Sequence, residues 1–185
     1  MILMKDIIRE GHPALRKLAE ELVFPLSVDE RKLAEELLQF LKNSHDPEIA
    51  LKYELRAGIG IAAPQINVLK RVFALHITEM EGEPISFVAI NPKIVSHSVE
   101  KTYLSSGEGC LSVDRDVQGY VPRYKRITIK AFTPEGHEFK KRLKGVAAIA
   151  FQHELDHLNG IMFYDHIDKS EPFKDIPGAV PIDRD

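Results

Sequence analysis

The segment that most restricts how this chain can fold is GVAAIAFQHELDHLNG, residues 145 to 160. It reads as one helix that begins near Gly145, runs through Val146, Ile149, Ala150, His153 and His157, and stops at Asn159-Gly160, a favoured helix terminator. Its Ala-rich, apolar first half marks it as a buried helix, not a surface one. Its second half carries His153-Glu154-Leu155-Asp156-His157, the pattern HExxH. Positions four apart on a helix differ by only about 40°. Both imidazoles can therefore reach one metal ion while Glu154 sits beside water bound there. Two incidental histidines would give the same spacing, but the helical setting and the apolar flank favour a site.

A metal site of this kind needs a third protein ligand. In metzincin proteases it is a histidine six residues after the second. Here that position is Phe163, so the metzincin reading fails. A thermolysin-like enzyme would use a glutamate further on, for which Glu171 is the nearest candidate, in a polar, proline-containing stretch that supports a rigid ligand poorly. Cys110 is the better choice. It is the sole cysteine of the chain, so no internal disulfide is available to it. A thiolate is a soft, strong metal donor. The surrounding Gly107-Glu108-Gly109-Cys110-Leu111-Ser112 has glycines that permit close approach of a substrate or helix to the backbone.

A third segment, Gly58-Ile59-Gly60-Ile61-Ala62-Ala63-Pro64-Gln65, has two glycines but neither the third glycine nor the following helix of a nucleotide-binding turn. It reads instead as a strand-like edge whose small residues admit a peptide, ending in an amide side chain that can donate a hydrogen bond.

Elsewhere, a helix is expected over Ser27 to Asn43. Ser27 and Glu30 have capping-box spacing, and Leu33, Leu37, Leu38 and Leu41 share a face. Ser44 to Arg56 reads as a loop or insertion. Strand patterns occupy Arg71 to Ile77, Ser86 to Asn91, Lys93 to Ser98 and Arg126 to Phe132. Turn signals stand at Glu81-Gly82-Glu83-Pro84 and at Thr133-Pro134-Glu135-Gly136, the second leading into a hairpin that returns through Glu138 to Leu143. From about residue 166 the chain reads as an extended tail. Short strands that do not alternate with helices argue for an α+β fold, with antiparallel and mixed strands packed around the buried helix that carries HExxH. The length, 185 residues with 44% hydrophobic, suits a single domain spanning 1–185. A formal net charge of -3 offers no overall basic excess for binding DNA or RNA in general. The absence of a secretion signal and of any 20-residue apolar run leads us to expect a cytoplasmic protein without membrane association.

Three segments taken together, GIGIAAPQ at 58–65, EGCLS at 108–112 and QHELDH at 152–157, resemble the signature motifs of peptide deformylases in order and spacing. The resemblance continues through GHPALR at 11–16, NPKI at 91–94 and HLNGIMFYDHI at 157–167. The insertion before Gly58 is similar to that of the longer, type 2 form. The resemblance implies a metal-dependent hydrolase that takes the formyl group from the N-terminal formyl-methionine of new polypeptides, releasing formate. It implies one divalent ion held by Cys110, His153 and His157, with Fe²⁺ favoured and Zn²⁺, Ni²⁺ or Co²⁺ able to substitute. Glu154 would act as general base and then acid, while the Gln65 amide and the Leu111 backbone N–H would face the formyl oxygen. Substrate would pair along Ile59 and Gly60 on one side and Gly109 on the other. Its methionine would enter a pocket walled by Ile149 and Ala150. The expected partners are N-formyl-methionyl nascent peptides, with a dock on the ribosome in keeping with that substrate and no nucleic acid at the active site.

Two other readings compete, a peptidase that cuts internal bonds and a module with a structural metal. The latter is usually closed by four protein ligands. A pairing of Glu108 with Arg123 is also expected. His12, His45, His76, His97, His137 and His166 are read as surface or packing residues.

Overall fold

The computed structural model describes residues 1–78 and 83–183. Its elements in chain order are α1 (Val28–His45), α2 (Pro47–Tyr53), β1 (Gly60–Ala62), β2 (Val72–Ile77), β3 (Ile85–His97), β4 (Lys101–Leu104), β5 (Arg123–Tyr124), β6 (Arg126–Phe132), β7 (Glu138–Lys144), α3 (Gly145–Leu158) and β8 (Val180–Ile182). The fold is α+β. An antiparallel sheet runs β1-β2-β3-β6-β7, and a smaller mixed sheet runs β5-β4-β8, with β8 parallel to β4.

Alternation along the strands explains the layering, because successive side chains of a strand point to opposite faces. Val72, Ala74, Val88 and Ile90 join Leu37, Phe40 and Leu41 of α1 in one core cluster. Phe73, Leu75 and Ala89 join Ala148, Ala150, Phe151 and Leu158 of α3 in another. The sheet is thus buried on both faces over β1–β3, under α1 on one side and α3 on the other.

The Ser27–Glu30 capping box forms in both directions at 3.2 and 2.9 Å and starts α1 as expected. The segment expected as a loop from Ser44 to Arg56 contains α2. Asp46 accepts from the Glu48 and Ile49 N–H groups at 3.0 Å and Pro47 occupies the first turn, an arrangement that starts even a short helix. The two strand patterns at 86–91 and 93–98 are one long strand, β3. Pro92 cannot donate to the ladder, and the strand bulges there, with Asn91 at φ 49° and the register shifting between Ile90 and Lys93. The hairpin of β6 and β7 forms around Thr133–Gly136. Glu81 and Gly82, in the other expected turn, lie outside the described residues.

The tail is not simply extended. Phe163–His166 form a 3-10 turn, and β8 returns to pair with Thr102–Leu104, setting Ile182 against Leu104, Val146 and Ile149. Its prolines do not prevent this, because an edge strand tolerates a residue without N–H. At the end of α3, Gly160 has φ 71° and lies so close to the 11–16 segment that a Cβ there would stand 2.6 Å from the Arg16 carbonyl oxygen. The Asn159-Gly160 stop is therefore also a packing contact.

Phe151 is fully buried and meets Phe73 edge-to-face at 5.0 Å. Phe151→Ala should cost about 3–5 kcal/mol. Urea unfolding checks this as a lower midpoint with an unchanged slope.

Candidate metal centre

Three elements build the site. Helix α3 brings His153, Glu154 and His157 to one side, the 105–113 loop after β4 brings Cys110, and β1 with the 3-10 turn after it brings Gly60 and Gln65. One donor atom from each of Cys110, His153 and His157 lies within 4.8 Å of the others. Cys110 Sγ stands 3.4 Å from His157 Nε2. Two such donors on a common ion, at 2.3 and 2.0–2.1 Å and a tetrahedral angle, would be about 3.6 Å apart, so the spacing fits a metal. The donors are largely buried, Cys110 at 7% and His157 at 1% exposure.

Outside these donors the polar groups are held in place. Glu108 accepts from His153 Nδ1 at 2.8 Å, which turns Nε2 of that ring toward Cys110 and His157. Glu108 is in turn gripped by Arg123 through two parallel bonds of 3.0 and 2.9 Å, both side chains 3% exposed, as the sequence led us to expect. Sequence reasoning missed the continuation. Arg123 also donates to Asp156 at 2.6 Å, and Asp156 pairs with His166 at 2.8 Å. The signal was present, since Asp156 lies inside HELDH and one turn from Gln152. The Gln152 amide bonds the Tyr124 backbone in both directions and so locks β5, with Arg123, onto α3. Arg56 donates to the Cys110 and Val113 carbonyls at 3.2 and 3.3 Å and fixes the ligand loop, a role hidden in a stretch read as loop. Of the other histidines, His12 caps the 13–16 turn and His45 bonds the Gly58 carbonyl at 2.9 Å.

The electrostatics follow from burial. Burial by itself would raise the Glu108 carboxyl, but the Arg123 charge and hydrogen bonds from His153 and Arg123 outweigh it and hold it down to about 2. Burial pushes Glu154 up to about 7, the opposing pull of His153 and Arg123 being insufficient. His153, despite its burial, is raised by bonding to Cys110 and Glu108, while burial and the His153 charge lower His157. Glu154 Oε2 and His157 Nδ1 are buried without a hydrogen-bond partner among the described residues.

Glu154 opens onto a cavity of about 260 Å³. Ile59, Gly60 and Gln65 line one side, Gly109, Cys110 and Leu111 another, and Ile149, Ala150, His153 and Glu154 the floor. The structure thus brings the sequence-predicted residues to one cavity, with His157 directly behind it. Gln65 Nε2 donates to Ser112 Oγ at 3.1 Å and to Cys110 Sγ at 3.5 Å, and its Oε1 accepts from the Ala62 N–H at 2.9 Å, so its orientation is fixed. Glu171, the alternative ligand, is exposed on the tail and outside the cluster.

With this geometry in view, comparison with known proteins is decisive. Residues 4–173 match the model of the polypeptide deformylase family. The chain belongs to that family. It is 58% identical over 184 residues to peptide deformylase 2 of Bacillus anthracis and 59% identical to that of Geobacillus stearothermophilus, each alignment covering 100% of both chains. Among solved structures it is similar to the Met-Ala-Ser-bound class I type b peptide deformylase of Acinetobacter baumannii, with 30% identity, a TM-score of 0.70 and 87% and 96% of the two chains covered. It is also similar to the peptide deformylase of Thermotoga maritima, with 31% identity, a TM-score of 0.68 and 88% and 96% covered. Deformylases are metalloenzymes, and the Cys110, His153 and His157 cluster is a group able to hold the ion.

Two outcomes are expected. A Cβ on Gly60 would stand 2.5 Å from Glu154 Oε1, so Gly60→Ala should displace that carboxylate and cut turnover at least about ten-fold if Glu154 carries the proton as the family motif implies, while bound metal measured by mass spectrometry stays the same. Glu108→Gln should cost about 3–5 kcal/mol, as for a buried pair that loses one member. Because the Glu108 pKa is lowered on folding, its stabilisation is full above the unfolded value of 4.5 and is lost as pH falls toward about 2. Parent and variant stability curves should therefore converge at acid pH.

Proposed function

We propose that this chain removes the N-terminal formyl group from formyl-methionyl peptides, releasing formate and a free amine. The observation that carries the reading is a buried carboxylate, Glu154, with one oxygen unpartnered, beside three convergent metal donors at the floor of a cavity with backbone strips on both sides. A divalent ion held by Cys110, His153 and His157 would supply Lewis acidity and make bound water nucleophilic near neutral pH. Fe²⁺ is the ion favoured by family precedent, with Zn²⁺, Ni²⁺ or Co²⁺ as substitutes. The helix bearing HExxH is, on this reading, the centre around which the sheets are arranged.

The residues divide the work. Ile59 and Gly60 on one side and Gly109 on the other would pair the peptide backbone as an added strand. A Cβ on Gly109 would meet nothing within 4 Å, so the loop leaves room for it. The methionine side chain would fill the apolar end of the cavity at Ile149 and Ala150. Glu154 would take a proton from the attacking water and pass it to the nitrogen as the C–N bond breaks. Burial, which raises the carboxyl, favours holding the proton between the two transfers. Negative charge that develops on the formyl oxygen would be met by the Leu111 N–H and the Gln65 amide. Among the described residues the Leu111 N–H makes no backbone hydrogen bond, and the second N–H of the fixed Gln65 amide, 3.5 Å from the sulfur, has only that weak acceptor. Backbone pairing reads little sequence beyond methionine, which suits newly made peptides of every sequence as partners and the cytoplasm as the place of action. Association with the ribosome belongs to the same reading.

Formyl-Met-Ala-Ser should yield formate, and the unformylated peptide should be left uncut. Internal cleavage of either would instead support a peptidase. Glu154→Ala should retain the metal and lose at least about a hundred-fold in turnover, as for removal of a general acid–base group. Metal lost in step with activity would contradict the assignment of Glu154 to proton transfer.

A further inference from the structure

Helix α1 covers β1, β2 and β3, and beyond Phe132, which packs against that cluster and Phe24, no helix covers the same face of β6 and β7 among the described residues. Residues paired across strands share a face, so the register puts Arg126 beside Lys144, Thr128 beside Arg142 and Lys130 beside Lys140, with Lys93 of β3 beside Lys130. The opposite side of these strands is mostly apolar, Ile127, Ile129, Ala131 and Leu143 lying in the core under α3, with Lys141 exposed beside them. Like charges directly opposite one another in a sheet are destabilising. Here such pairs occur side by side. Lys93, Arg126 and Lys130 each have a carboxylate, Glu21, Glu100 and Glu138, whereas Lys140, Arg142 and Lys144 have none among the described residues. Their spacing along β7 is about 6.8 Å, two strand residues. Beside them a groove of about 500 Å³ is lined by cations and hydroxyls, Arg126, Arg142, Lys144, Ser96, Ser98 and Thr128, together with His97 and the apolar Ile127 and Leu143.

We propose that this uncovered face of β6 and β7 is a docking surface for the phosphate backbone of RNA. A flat row of cations with hydroxyl donors answers a regular row of phosphates and reads no base sequence. With Lys140, Arg142 and Lys144 left over after the other three cations are paired, in a chain of net charge -3, this face carries a local positive excess that favours approach of a polyanion here. β7 runs directly into α3, and Val146, two residues after Lys144, lines the active cavity, so the docked surface borders the cleft without blocking it. Lysines on an edge strand also discourage edge-to-edge aggregation. That role needs charge on the strand's edge and does not call for a second row of cations on β6.

The test uses the full chain with its metal and a fluorescein-labelled RNA duplex of about 20 base pairs and arbitrary sequence, long enough to span one shape-read site, followed by anisotropy across a salt series. The parent should bind with a steep salt dependence. K140Q/R142Q/K144Q should weaken binding at least about ten-fold and flatten the salt slope by about 2 to 3, one increment for each phosphate left without its cation. K140R/K144R, which keeps the charges, should bind as the parent does, and K5Q/K17Q/K169Q, at exposed lysines elsewhere, should leave binding unchanged. Turnover of a short formyl peptide should be the same throughout. Should the triple variant aggregate, R142Q alone should still lower affinity and slope. The proposal is overturned if the parent does not bind, if the distant lysine variant weakens binding as much, or if poly-glutamate or anionic phosphatidylserine vesicles compete better than unlabelled RNA at equal charge.

Discussion

The arrangement of the centre depends on one buried cation. Arg123, 3% exposed, holds Glu108 in a two-pronged bond and Asp156 in a third, and through Glu108 it fixes the His153 ring. Removing water from these charges costs several kcal/mol per ion, and the attraction between them offsets this only with good geometry. The fork of the guanidinium supplies that geometry, as the single ammonium of a lysine could not. Glu108 is therefore a carboxylate down to about pH 2, and His153 keeps Nδ1 as donor toward it and Nε2 toward the metal position. The nearby Glu154 has no such partner, and burial leaves it near neutrality in its proton affinity. Two glutamates a short distance apart are thus assigned opposite behaviour by what touches them.

That cation can be placed so only because the strands lock onto the helix. Gln152 bonds the backbone of β5, the β5-β4-β8 sheet closes over Val146 and Ile149, and the five-stranded sheet packs Phe73 and Ile129 against the other side of α3. The wall of the proposed methionine pocket and the scaffold of the metal donors are then a single helix, so substrate position and proton position are not set independently. Gly60 shows the tightness of the fit. It lies in contact with Glu154, and the strand proposed to hold the peptide would be moved by any side chain at that position.

Patterns with a strict physical period were legible in the sequence. The capping box at Ser27, the apolar-then-polar helix from Gly145 and the hairpin at Thr133–Gly136 all appear, because local chemistry specifies them. Joining Cys110 to His153 and His157 needed coordination chemistry and the family motifs, since the loop and the helix are 43 residues apart at their nearest ligands. What could not be read depends on long-range partners. Strand β8 exists only because Thr102–Leu104 is there to receive it, and its sequence has no strand pattern of its own. The split expected at Pro92 became a bulge because neighbouring strands hold both halves in line. The charge distribution was hidden for the same reason. A net charge of -3 spoke against nucleic-acid binding, but only the register of β3, β6 and β7 shows six cations on one face.

Two polar atoms of the centre, Glu154 Oε2 and His157 Nδ1, are buried with no hydrogen-bond partner among the described residues, beside Glu108, Arg123, Asp156 and Gln65, which are all paired. The side chains that carry them belong to the proposed metal and substrate site. Arg123 is engaged by Glu108 and Asp156 and makes no hydrogen bond to Glu154, and the Gln65 amide is turned toward Ser112 and the sulfur. The strongest internal partner is thereby kept from the base, so that its oxygen remains available to the proton it has to carry.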